Sequence, residues 1–113
     1  MKSKVKLQHE ARANIIKAMA HPSRLFIIEE LNKKERCVGE LTEMIGADAS
    51  TVSKHLSVLK NAGLVMVEKR GNSIFYRLRV PCIMQFIGCV EDVLSSNAKE
   101  HIEILKCCKR NGE

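Results

Sequence analysis

Between Asp48 and Val65 the chain reads DASTVSKHLSVLKNAGLV. Asp48 is a strong helix N-cap residue and Gly63 a helix terminator, so a short helix stands between them and runs into a strand. Ala49, Val52, Leu56 and Leu59 fall on one side of that helix. Ser50, Thr51, Lys54, Ser57 and Asn61 fall opposite, with Ser53 and His55 near the edges. Small hydroxyl side chains let a helix approach a phosphate or a base edge closely, and they both donate and accept. Lys54 adds a charge for a phosphate, and the helix N-terminus itself favours an anion.

The flanking sequence places this helix in a larger pattern. Upstream, apolar spacing predicts a first helix over about 7–20, on Ala11, Ile15, Ala18 and Met19. Pro22 ends it and suits the first turn of a second helix, striped by Leu25, Ile28 and Leu31. A third helix covers about 38–45, with Val38, Leu41 and Ile45 inward and Gly46 closing it. Its link to the fourth helix is very short, which is the arrangement of a helix-turn-helix. Downstream, LVMVEKR and SIFYRLRV read as strands joined at Gly71-Asn72, a dipeptide suited to a tight hairpin. Pro81 opens a last helix over about 82–107, with a broad face of Ile83, Phe86, Ile87, Val90, Val93, Leu94, Ile102 and Leu105. The expected order is α-α-α-α-β-β-α: a mainly α, winged helix-turn-helix fold with a β-hairpin wing, one domain over residues 1–113.

Composition agrees with a folded, anion-seeking chain. The 113 residues are 45% hydrophobic, enough for a modest aliphatic core, and the formal charge is +6. The hairpin carries Lys69, Arg70, Arg77 and Arg79 against Glu68, and its turn adds Asn72. A basic turn of this kind suits backbone phosphates or a minor groove, while a major groove admits the helix. The expected partner is therefore double-stranded DNA, read by Ser50, Thr51, Ser53, Lys54, His55, Ser57, Lys69, Arg70 and Asn72. No apolar run approaches the roughly 20 residues that span a bilayer, so no membrane partner is expected. The basic N-terminus lacks the apolar run of a signal peptide, which points to the cytoplasm. The five cysteines are then expected to be reduced. A C-x-x-C motif, a phosphate-binding glycine loop and a His–Cys pairing are all missing, which argues against an enzyme.

Three segments, HPSRLFIIEEL, VGELTEMIGADASTVSKHLSVLKNAGLV and RGNSIFYRL, resemble in order and spacing the ArsR-type winged-helix repressors. The resemblance covers roughly residues 10–80. It implies a homodimer in which helices one and five pair, and a repressor that leaves its operator when an inducer binds. It carries the family's recognition-helix serines and histidine onto Ser50, Ser53 and His55, and its wing cations onto Lys69 and Arg70. Independently, the wide apolar face of the last helix exceeds what one small domain covers easily, which also favours a dimer.

Many members of this family sense metal or metalloid ions through cysteine, histidine or carboxylate ligands. One pattern places a cysteine pair near the start of helix three. Here ERCVGEL keeps Cys37 but has Gly39 where the second cysteine stands. A second pattern uses Asp and His along helix five; Asp92 and His101 are present without the histidine two residues after Asp92. The remaining thiols, Cys82, Cys89, Cys107 and Cys108, form the expected ligand set, with Cys37 in reserve. Thiolates select soft ions such as trivalent arsenic, cadmium, lead, copper(I) or zinc. Cys82 and Cys89 stand about 10 Å apart along an unbroken helix, too far for two bonds of about 2.3 Å to one zinc. A turn at Cys82, or a partner helix bringing Cys107 or Cys108 near, removes that limit. The Cys107-Cys108 pair lies among Lys106, Lys109 and Arg110, which lower thiol pKa values. No cofactor is obligatory, and a redox or persulfide sensor using the same thiols remains an alternative. A winged helix without a metal site, binding DNA or a protein partner, is a further one.

Overall fold

A computed structural model describes the backbone of residues 1–111 and the side chains of residues 1–103. Its elements are α1 (Ser3–Met19), α2 (Pro22–Lys33), β1 (Arg36–Cys37), α3 (Val38–Ile45), α4 (Ala49–Asn61), β2 (Val65–Arg70), β3 (Ser73–Leu78) and α5 (Ile83–Asn111). The chain divides into one unit over Met1–Pro81 and a second over Cys82–Glu113 that is almost wholly α5.

In the first unit the core is aliphatic. Ile27, Ile28, Leu41, Val52, Leu56 and Leu59 are fully buried, with Ala18, Met19, Leu31, Leu64 and Val65 around them. Burying each such side chain contributes about 1.5–3 kcal/mol, so this cluster dominates the stability of the unit. Four residues expected on the inward stripes, Ala11, Ile15, Leu25 and Ala49, are exposed. Leu25 is 39% exposed, and Ile27 takes its place in the core. The run Leu25-Phe26-Ile27-Ile28 is apolar throughout, so its periodicity allowed either stripe. Ile15 is likewise exposed, and α1 begins at Ser3, four residues before the expected start.

Local signals set the ends of the reading elements. Pro22 opens α2, and the His21 ring accepts the Ser23 backbone N–H at its start. Gly46 closes α3 with φ +76°, and its N–H returns to the Thr42 carbonyl. Only glycine adopts that backbone without steric cost, which permits the short turn into α4. Gly71 takes φ +60° while Asn72 keeps a negative φ, the pattern of a type II′ hairpin turn.

The expected element order lacked one strand. Arg36 and Cys37 form β1, which pairs antiparallel with β3 in the register Arg36↔Tyr76 and Cys37↔Phe75. The sheet is therefore three-stranded, in the order β1-β3-β2. Two residues are too few to show an alternating pattern. Burial of a charged pair reinforces this strand: Glu30, 5% exposed, accepts from Arg36 and Lys33, both at 2.9 Å. Lys33, then Arg36, holds the Glu30 carboxyl below its ordinary range.

Candidate nucleic-acid interface

The recognition surface starts at the α3–α4 turn. Asp48 accepts the Thr51 backbone N–H and the Ser50 hydroxyl, each at 2.8 Å. The Thr51 N–H, then the Ser50 and Thr51 hydroxyls, hold the Asp48 carboxyl below its usual range. This changes the expectation for the helix end: a carboxylate of the chain itself already occupies the position where an anion was expected. The Ser50 hydroxyl spends its proton on Asp48 and faces outward as an acceptor.

Along α4, Val52, Leu56 and Leu59 are wholly inward. Ser50, Thr51, Lys54, Ser57 and Asn61 are exposed, and Ser53 and His55 are half-buried. The hydroxyl-rich face is thus open and not folded back on the chain. Val58 shares this face at 36% exposed. The sequence reading did not single it out, although its wheel position next to Lys54 and Asn61 was available.

His55 is tied inward. Its Nδ1 accepts from Arg24 Nε at 3.2 Å, and its ring lies 4.4 Å from that of His21. Arg24 also donates to the Ala18 carbonyl at 3.1 Å, so one guanidinium joins α1, α2 and α4. Because Nδ1 accepts, neutral His55 carries its proton on Nε2. Burial, then the charges of His21 and Arg24, push the His55 pKa down, favouring that neutral form. Arg24 also lay outside the sequence reading; a bond between residues 31 positions apart leaves no local pattern.

The wing presents two kinds of cation. Among the described residues, no carboxylate lies within ion-pair distance of Lys54, Lys69 or Arg77. Arg79 donates to the Gly63 carbonyl at 3.2 Å. Arg70 is different: it pairs with both Glu35 and Glu68. Asn72 is exposed at the turn.

The thiols do not converge among the described residues. Cys82 and Cys89 are exposed, and Cys37 is half-buried at the start of α3. The Cys37 backbone N–H and thiol both donate to Glu40 Oε1, at 3.2 and 3.4 Å. Cys82 precedes α5 in a turn, where its carbonyl accepts the Gln85 N–H. The Cys107 and Cys108 side chains lie outside the described residues. No group of three or more His, Cys, Asp or Glu side chains among the described residues is placed to hold a metal ion. Nor, among them, is any helix long and apolar enough to cross a membrane.

Comparison with known proteins places this geometry. Residues 21–67 match the family model described as bacterial regulatory protein, arsR family. The uncharacterised HTH-type transcriptional regulator Rv0081 of Mycobacterium tuberculosis is 30% identical over 105 residues, covering 92% of each chain. The crystal structure of NolR from Sinorhizobium fredii superposes with a TM-score of 0.76 at 30% identity, over 82% of this chain and 93% of that one. The solution structure of the homodimeric winged helix-turn-helix DNA-binding domain of Mb0332 from Mycobacterium bovis gives a TM-score of 0.74 at 26% identity, over 89% and 94%.

Proposed function

The chain belongs to the arsR family of bacterial regulatory proteins, DNA-binding transcriptional regulators and not enzymes, and on that premise we propose that it is an inducible repressor acting as a homodimer. The observation that carries this reading is the open α4 face. Ser50, Thr51, Lys54 and Ser57 stand outward, and the wing adds the exposed Lys69 and Arg77, which have no ion-pair partner among the described residues. In the proposed complex α4 enters the major groove, its hydroxyls meet phosphates and base edges, and Val58 meets a thymine methyl. Lys54, Lys69 and Arg77 neutralise phosphates.

A homodimer is supported by the exposed apolar residues of α5, among them Phe86, Val90, Val93 and Leu94, and of α1, among them Leu7, Ile15 and Ile16. Two copies of α4 then read two half-sites. The cytoplasm is where such a regulator meets its operator.

The inducer is a thiol-binding agent, a soft metal ion or trivalent arsenic, held by Cys82, Cys89, Cys107 and Cys108, with Cys37 as a further donor. A tenfold loss of operator affinity requires only about 1.4 kcal/mol of preference for the released state. A second reading, thiol oxidation or persulfidation, is favoured by one observation: the described thiols do not form a three-ligand cluster. Binding of a selected duplex by reduced protein tests both, with trivalent arsenic, cadmium, zinc or an oxidant added. Release by the ions and not the oxidant, lost in the Cys107→Ser, Cys108→Ser double variant, supports ligation. Release by oxidant alone supports the redox reading. No release by any of them removes thiol sensing and leaves DNA binding standing.

A further inference from the structure

Arg70 occupies the wing position where a phosphate-binding cation was expected, yet both terminal nitrogens of its guanidinium are engaged within the chain. Nη1 donates to Glu35 Oε1, while Nη2 donates to Glu35 Oε2 at 2.9 Å and to Glu68 Oε2 at 2.8 Å. Its carbon lies 5.0 Å from the centre of the Phe75 ring. Two carboxylates against one guanidinium leave the cluster with a net negative charge, a poor surface for phosphate. An isolated exposed ion pair contributes little. A two-point fork, a second carboxylate and an aromatic platform instead fix a direction.

That direction crosses the sheet. Arg70 ends β2, the strand farthest from β1 in the order β1-β3-β2. Phe75 is on β3, and Glu35 immediately precedes β1, which leads directly into α3. The side chain therefore spans the width of the wing and attaches its outer strand to the root of the helix-turn-helix. Lys69, one residue earlier, has no such attachment among the described residues.

We propose that Arg70 is a positioning residue for the wing and not a DNA contact: its clamp to Glu35 sets the angle at which Lys69 and Arg77 meet the duplex. This rests on the regulator reading above, and its test is chosen to fail separately. The wild-type protein, Arg70→Gln, Glu35→Gln, the double variant and Lys69→Gln are titrated with a duplex selected by the wild type, across a series of salt concentrations. Arg70→Gln and Glu35→Gln are each expected to weaken binding about three- to tenfold, with the double variant no weaker than either. Their salt slopes should equal that of the wild type, whereas Lys69→Gln should lower the slope by about 0.9. A phosphate-contacting Arg70 gives the opposite pattern: Arg70→Gln lowers the slope, and Glu35→Gln, having lost a negative charge, binds more tightly. Either of those results, or unchanged affinity in Glu35→Gln, overturns the proposal. Amide hydrogen exchange in the free protein gives a readout independent of DNA. Faster exchange across residues 66–77 in both single variants supports the clamp, and unchanged exchange overturns it. A wild type that binds no duplex defeats the regulator reading, and the exchange data then judge the clamp alone.

Discussion

α4 and α5 carry apolar residues at the same helical period, and their fates differ. On α4, Val52, Leu56 and Leu59 have no exposed surface, whereas on α5 Phe86 is 42% and Leu94 63% exposed in the single chain. The stripe of α4 is covered by neighbouring elements of the first unit, α1, α2, α3 and β2 among them. That leaves its opposite, hydroxyl-bearing face free for a partner. On α5 the apolar face itself is what remains available. One helix thus offers polar groups on a rigid support, and the other offers hydrophobic area that water disfavours. Periodicity reveals amphipathicity; it does not say whose atoms supply the cover.

The sharpest contrast comes from truncating equivalent leucines. Leu56→Ala should cost about 3 kcal/mol of stability, measured by denaturant unfolding, because a fully buried side chain leaves a cavity. Leu94→Asp should leave the fold of the first unit intact by circular dichroism but shift the protein to monomer in sedimentation. Losing the linked second half-site should then weaken duplex binding roughly 100-fold. If Leu94→Asp stays dimeric with full affinity, the assignment of α5 to the dimer is wrong.

A smaller effect is expected at the start of α4. Asp48→Ala should destabilise by about 1 kcal/mol through loss of the cap. Asp48→Asn keeps an acceptor for the Thr51 N–H and removes a negative charge beside the phosphate path of the proposed complex. It should therefore bind duplex DNA more tightly than the wild type, by roughly two- to fivefold. Equal or weaker binding by Asp48→Asn would place the duplex away from this end of the helix.

The smallest expected change concerns pH. The His55 pKa is lowered by burial and then by the charges of His21 and Arg24. Below the unfolded-state value of 6.5 the unfolded chain binds the proton first, so stability falls with falling pH until the folded pKa is passed. Above the unfolded-state value of 6.5 the contribution is complete. His55→Gln should flatten this part of the stability curve, as read by urea unfolding at a series of pH values. An unchanged acid limb means that the folded chain does not lower the His55 pKa.

Much of this arrangement was legible in the residues because it is set locally. The Asp48 cap, the Gly46 stop and the Gly71-Asn72 turn each act within a few positions, and all three fall where the sequence places them. What escaped notice is long-range or very short. β1 is two residues long, and the Arg24–His55 and Glu35–Arg70 bonds join residues 31 and 35 positions apart. In sequence, Arg70 is indistinguishable from Lys69 as a wing cation. Only the placement of Glu35 and Phe75 separates the two. The vicinal cysteine pair, Cys107-Cys108, lies outside the described side chains.

The most direct test of the regulator reading is amide shift mapping of isotope-labelled protein titrated with a duplex recovered from a randomised pool. The largest shifts should fall on residues 50–58 of α4 and on residues 68–72 and 77 of the wing. Shifts confined to α5, or none at all with every pool, would contradict the claim that the open α4 face reads DNA.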